Sequence, residues 1–241
     1  METYVSIDVE ADGPIPGPYS MLSLGAAAFS PSLSLISTFS INLQTLEGAG
    51  QHPDTMDFWS LHPKAYEAAR QSTASPEQGM LSFEGWVKQL PGKPVPCAYP
   101  AGFDWTFVYW YLQKFLGRSP FLFSCRDRKS YAMALMRTTY RGTSKKRMPK
   151  RWFPLEHKHT HVAVEDAIEQ GHIFMTMLQE NRKRRGATLI SVDPAWEIEG
   201  ETAADRDGEL VLYNKEGKAD RDLSLGFAET GDCIIQLRRR P

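Results

Sequence analysis

The sequence predicts an α/β fold: a mixed sheet of three antiparallel strands, then alternating helices and strands, then a small β-rich C-terminal extension. Three observations predict it. Residues 3–9, 21–29 and 33–42 are strand-like runs in succession, parted by turn-forming residues. From residue 55 onward, helical spacing alternates with short strand-like runs, the pattern of α/β layers. Gly186 breaks the last helical pattern, and short strand candidates between acidic, Gly-rich turns follow it.

Each element has its own signal. Residues 3–9 form a hydrophobic strand, and Ser30-Pro31 punctuates the step from the second strand to the third. Residues 55–61 and 63–71 read as short helices broken at Ser60-Leu61-His62-Pro63. Ser75 caps the next helix, Pro76 takes its first position and Pro91-Gly92 stops it. A strand at 94–99 leads to a helix on which Phe103, Phe107, Tyr111 and Phe115 recur at helical spacing. A strand at 121–124, a helix at 129–137 and a long helix at 161–182 complete the domain, set at residues 1–185. Residues 186–241 form the extension, with strand candidates at 188–192, 209–213 and 233–237. It is expected to pack on the core or on a second subunit, the latter giving a homodimer.

Composition narrows the class. A chain of 241 residues with 41% hydrophobic content can bury a sizeable core. No apolar run reaches the length of about 20 residues that a membrane helix needs, so no membrane partner is expected. The chain has no basic-then-apolar leader, and its three cysteines are widely spaced, which together point to a cytoplasmic protein with reduced thiols. Net charge is −1, yet seven basic residues crowd positions 137–151. Such a loop suits sequence-independent phosphate contacts.

Asp8 and Glu10 stand two apart on the first strand. Strand side chains alternate, so both carboxylates leave one face. Like charges so close repel unless a cation lies between them, and hard oxygen ligands suit Mg2+ or Mn2+. Asp104 falls near the start of a helix, where the dipole favours a carboxylate. His161 and Asp166, five residues apart, open the long helix and can converge beside its N-terminal end. Each feature alone has an ordinary explanation, as a solvated pair, a helix cap or a surface histidine.

Together, Asp8-x-Glu10, Phe103-Asp104 and His161-x4-Asp166-Ala167 resemble the three motifs of the DEDDh branch of the DnaQ-like 3′-5′ exonuclease superfamily. That group includes proofreading exonucleases, oligoribonucleases and ribonuclease T-like enzymes. The resemblance covers roughly residues 1–183. It departs at Ala11, where threonine is frequent, in a proline-rich loop after Gly13, and at Pro100-Ala101-Gly102 before the second motif. The resemblance implies a ribonuclease H-like fold and two-metal hydrolysis of a phosphodiester, with two Mg2+ or Mn2+ ions. It implies that Asp8 bridges the ions, that Glu10 and Asp166 complete one site and Asp104 serves the other, and that His161 is the general base.

The implied substrate is single-stranded nucleic acid, with RNA slightly favoured over DNA, cut from the 3′ end to nucleoside monophosphates. Leu22 lies where similar enzymes wedge the terminal base, and the backbone of Ala11 lies where they meet the terminal hydroxyl. Of the pair Phe58-Trp59, Phe58 is expected in the core and Trp59 stacked on a base. Two other readings stand beside this one: a catalytically weak nucleic-acid-binding module on the same fold, and an assembly protein acting through its extension. The intact five-residue set argues against the first.

Overall fold

The computed structural model describes residues 2–154, 160–184, 223–224 and 238–239. The chain divides into two compact units, Met1–Asn181 and Arg182–Pro241. In the first unit, strands β1 (Glu2–Ala11), β2 (Met21–Phe29), β3 (Leu35–Asn42), β4 (Lys93–Ala98) and β5 (Arg126–Asp127) form a sheet in the order β3-β2-β1-β4-β5. β1 pairs antiparallel with β2 and parallel with β4; β2 and β3 are antiparallel, β4 and β5 parallel. The sheet is therefore mixed, with the three leading strands antiparallel as their sequence implies. Helices α1 (Pro53–Ser60), α2 (Pro63–Ala69), α3 (Pro76–Lys88), α4 (Ala101–Leu116), α5 (Arg128–Met136) and α6 (Ala163–Arg184) complete the described α/β elements.

The two faces of β1 are dressed differently. Its odd-numbered residues Val5, Ile7 and Val9 pack with Phe83 of α3 and with Phe107, Val108 and Tyr111 of α4. Tyr4, on the opposite face, joins Ala27 and Phe29 of β2 against Ala167, Phe174 and Leu178 of α6. Fully burying one such side chain contributes about 1.5–3 kcal/mol, so both layers are held firmly. Asp8 and Glu10 continue the α6 face toward the C-terminal end of β1. Gly25 is the β2 partner of Asp8. A β-carbon there would lie 2.1 Å from the main-chain carbon of Ala163, so the missing side chain is what lets α6 rest on the sheet.

Local signals explain the helix starts. Ser75 accepts the Gln78 N–H at 3.3 Å, as its N-cap position requires. Asp127 accepts the Ser130 N–H at 2.6 Å and the Ala101 N–H at 2.9 Å, so one carboxylate steadies the first turns of both α5 and α4. α4 begins at Ala101, which puts Asp104 in its first turn.

One strand is misplaced by the sequence. Residues 121–124 form none; the strand is β5, at Arg126–Asp127. Of that apolar run only Phe121 is buried, while Leu122 and Phe123 are exposed, and the Phe123 carbonyl accepts the Trp105 indole N–H at 3.1 Å in place of a ladder partner. The basic stretch forms three 3-10 turns, Tyr140–Thr143, Lys145–Arg147 and Lys150–Trp152, pinned by buried Thr143 and Trp152. In the second unit, β6 (Leu223–Ser224) and β7 (Arg238–Arg239) pair antiparallel. The strand candidates at 188–192, 209–213 and 233–237 lie outside the described residues. Among the described residues no helix is long and apolar enough to cross a membrane.

Candidate active site

Asp8 and Glu10 from β1, Asp104 from α4, His161 from the turn before α6 and Asp166 from its first turn all line one cavity of about 390 Å³. Residues up to 158 positions apart in sequence thus meet at one place. Asp8 is buried, and its Oδ1 accepts a hydrogen bond from Gln170 Nε2. Glu10 is half-buried one step further along the same face.

Asp104 is only 3% exposed. Its Oδ1 accepts the Val9 N–H at 3.2 Å, which ties α4 to β1, while Oδ2 is buried with no hydrogen-bond partner. Burial pushes this carboxyl up to about 8; the Val9 N–H pulls it back and the Glu10 charge adds to the rise. A buried carboxylate oxygen without a donor is costly in isolation. Its position beside the other acids is where a cation would complete it.

The third motif is built as a turn. His161 has a left-handed backbone, φ 58°, a conformation in which histidine is enriched among non-glycine residues. Asp166 accepts the Thr160 N–H on Oδ1 at 3.2 Å and the His161 N–H on Oδ2 at 3.1 Å, so its carboxylate holds the turn that carries His161. The His161 ring packs against His62 at 4.3 Å between centroids and edge-on against Phe58 at 5.1 Å. Ligand atoms of Glu10, His161 and Asp166 lie within 4.8 Å of one another. Oxygen donors dominate this set, with one imidazole, and that chemistry fits Mg2+ or Mn2+.

The expected substrate contacts fare otherwise. Trp59 is 3% exposed, packs on Leu22 and Ala69, and donates its indole N–H to the Ala11 carbonyl at 3.0 Å. Phe58 is 38% exposed and lines the cavity, so the two aromatics exchange the places expected of them. Helix α1 has only eight residues, and of these Trp59 is the buried one, packed with Tyr66 and Ala69 of α2. Leu22 is fully buried, with no surface to wedge against a base, and Ala11 is also buried.

Gln170 and Tyr99, which sequence reasoning passed over, also line the cavity, together with Lys145 of the basic stretch and Phe58, expected in the core. Lys145 is held by Glu169 at 2.6 Å, and Glu169 is itself buried. Asp166, Glu169 and Gln170 stand at i, i+3 and i+4, one face of α6. Polar residues on the buried side of a helix are the signal that could have found them.

No family model matches the chain. A curated relative, the 3′-5′ DNA exonuclease Cap18 of Escherichia coli, is 31% identical over 188 residues, which cover 76% of this chain and 96% of the relative. Among solved structures, the nuclease domain of 3′hExo, a DEDDh family member bound to rAMP, superposes with a TM-score of 0.56 at 13% identity, over 74% of this chain and 92% of that one. E. coli Exonuclease I in complex with a dT13 oligonucleotide gives 0.57 at 16% identity, over 77% of this chain and 42% of that one. The likeness to both structures is one of fold.

Proposed function

Since this chain belongs to the DEDDh branch of the DnaQ-like 3′-5′ exonuclease superfamily and is a 3′-5′ exonuclease acting on nucleic acid, we propose that it removes nucleoside monophosphates one at a time from single strands at the cavity of Asp8, Glu10, Asp104, His161 and Asp166. The observation that carries this reading is that donor atoms of the carboxylates Glu10 and Asp166 and of the His161 imidazole, the proposed base, lie within 4.8 Å of one another, beside the partnerless buried oxygen of Asp104. Enzymes of this family act with divalent metal ions. We propose two, Mg2+ or Mn2+, held by Asp8, Glu10, Asp104 and Asp166. When bound, such a pair stabilises the charge on the attacking and leaving oxygens of the phosphodiester.

The chain's own groups supply the rest. His161 takes the proton from the attacking water, with its main chain fixed by Asp166 and its ring packed against His62 and Phe58, which also touch each other. Phe58, exposed at the cavity wall, stacks on the terminal base. Lys145 differs from its neighbours Lys146 and Arg147 in lining the cavity, where it meets a phosphate as a point charge. The remaining basic turns are suited to the trailing backbone. The family resemblance slightly favours RNA; the E. coli relative is a DNA exonuclease, and we place DNA first.

The test is a side-by-side digestion of 5′-labelled and 3′-labelled single-stranded DNA and RNA with Mn2+ or Mg2+. A 3′ label should leave at once as a mononucleotide, and a 5′ label should pass through a ladder of shortening products. Cleavage of circular single strands at a comparable rate would overturn the exonuclease reading.

A further inference from the structure

We infer that Gln170 is the positioning residue of Asp8, fixing the orientation in which that carboxylate meets a cation. The inference rests on the proposed role of Asp8 as a metal ligand and deepens it. Gln170 is 4% exposed and lies one helical turn after Asp166 on α6. Its Nε2 donates to Asp8 Oδ1 across the gap between α6 and β1. The amide cannot be turned round, because its oxygen would then face the carboxylate. A donor on Oδ1 restricts the rotation of the Asp8 carboxylate, and a carboxylate oxygen can accept more than one partner.

Gln170 is itself anchored. Its main-chain carbonyl accepts the Arg128 Nη1–H at 3.2 Å. Arg128 is 1% exposed, and its guanidinium lies 3.9 Å from the centre of the Tyr99 ring. A buried cation therefore holds the main chain of the residue whose amide faces Asp8, and Tyr99, on which that cation stacks, lines the cavity. Gln170 Oε1 and the Arg128 Nε and Nη2 groups are buried without hydrogen-bond partners. Groups left so in a buried site are tolerated where a gain elsewhere offsets them. Here the gain is the single rotamer imposed on Asp8. Outer contacts of this kind tune metal sites strongly, with losses of about 10–100-fold on removal.

The experiment uses the full chain and two substitutions. Gln170→Met keeps the length and removes the donor; Gln170→Asn keeps the amide and shortens its reach by one methylene. Mn2+ affinity is measured by calorimetry, thermal unfolding is followed in parallel, and activity is titrated with Mn2+. Both variants should bind Mn2+ about tenfold or more weakly, with the activity midpoint moved to higher Mn2+ and most turnover regained at saturation. A packing role would instead lower the unfolding temperature and leave Mn2+ affinity in place. Mn2+ affinity within twofold of the parent in either folded variant overturns the inference. Asp8→Asn is the control: if it also binds Mn2+ as the parent does, the metal-site reading itself fails, whereas loss in Asp8→Asn alone sinks only the part assigned to Gln170.

Discussion

Trp59 donates its indole N–H to the main-chain carbonyl of Ala11 at 3.0 Å, tying helix α1 to the end of the strand that bears Asp8 and Glu10. The tie is buried, and it leaves Phe58 as the aromatic turned to the cavity.

The two aromatics should therefore fail differently. Trp59→Phe strands a buried carbonyl and should cost about 1–3 kcal/mol of stability, read as a lower unfolding temperature, with KM little changed. Phe58→Ala should leave stability near that of the parent and weaken binding of short single strands by about 1–3 kcal/mol, roughly 5- to 150-fold. The reverse ranking in a KM and melting series would return the stacking role to Trp59.

Asp8→Asn and Asp166→Asn should each abolish metal-dependent hydrolysis while far-UV circular dichroism stays unchanged. Their stabilities should part company. Asp166 accepts two main-chain N–H groups, from Thr160 and His161, and an asparagine can satisfy only one. Asp166→Asn should thus melt lower than Asp8→Asn. Full activity in either purified protein would end the two-metal proposal.

His161→Ala should retain Mn2+ binding and lose about 10²–10⁴-fold in kcat at saturating metal, the usual contribution of a general base. Calorimetry beside single-turnover kinetics decides the matter. Lost Mn2+ affinity with an intact rate at saturation would make His161 a ligand instead.

Acid stability should depend on Glu84 in α3. Its carboxylate accepts two hydrogen bonds from Arg118, at 2.8 and 2.9 Å, and pairs with Lys88 at 2.9 Å. Arg118 first, then Lys88, hold its pKa down to about 2, against an ordinary 4.5. A lowered folded-state pKa means that the stabilisation is complete above 4.5 and is lost as pH falls toward 2. Glu84→Gln should lower the melting temperature at pH 6 and narrow the gap to the parent as pH drops through that window. A gap constant from pH 6 to pH 2 would refute the assignment.

Much of this site can be read from the chain because its chemistry sits on regular elements. Strand alternation alone puts Asp8 and Glu10 on one side, and the helical spacing after Phe103 alone puts Asp104 near a helix start. Gln170 and Glu169 escape notice because a polar residue on a helix is ordinarily solvated, and only the docking of α6 onto β1 and β2 buries them. Phe58 and Trp59 are told apart by a hydrogen bond to Ala11, 48 residues away, which no local pattern encodes. The same limit displaced β5: an apolar stretch at 121–124 looks like a strand, while the pairing to Cys97 and Ala98 falls on Arg126 and Asp127.

Gly25 bears no reactive group, yet α6 can reach the sheet only because that position is bare. The contact has a consequence for the site. Asp8, Glu10 and Asp104 come early in the chain, and His161 and Asp166 come with the turn before α6 and its first turn. On the proposed roles, the set of five is complete only when this last helix seats over Gly25.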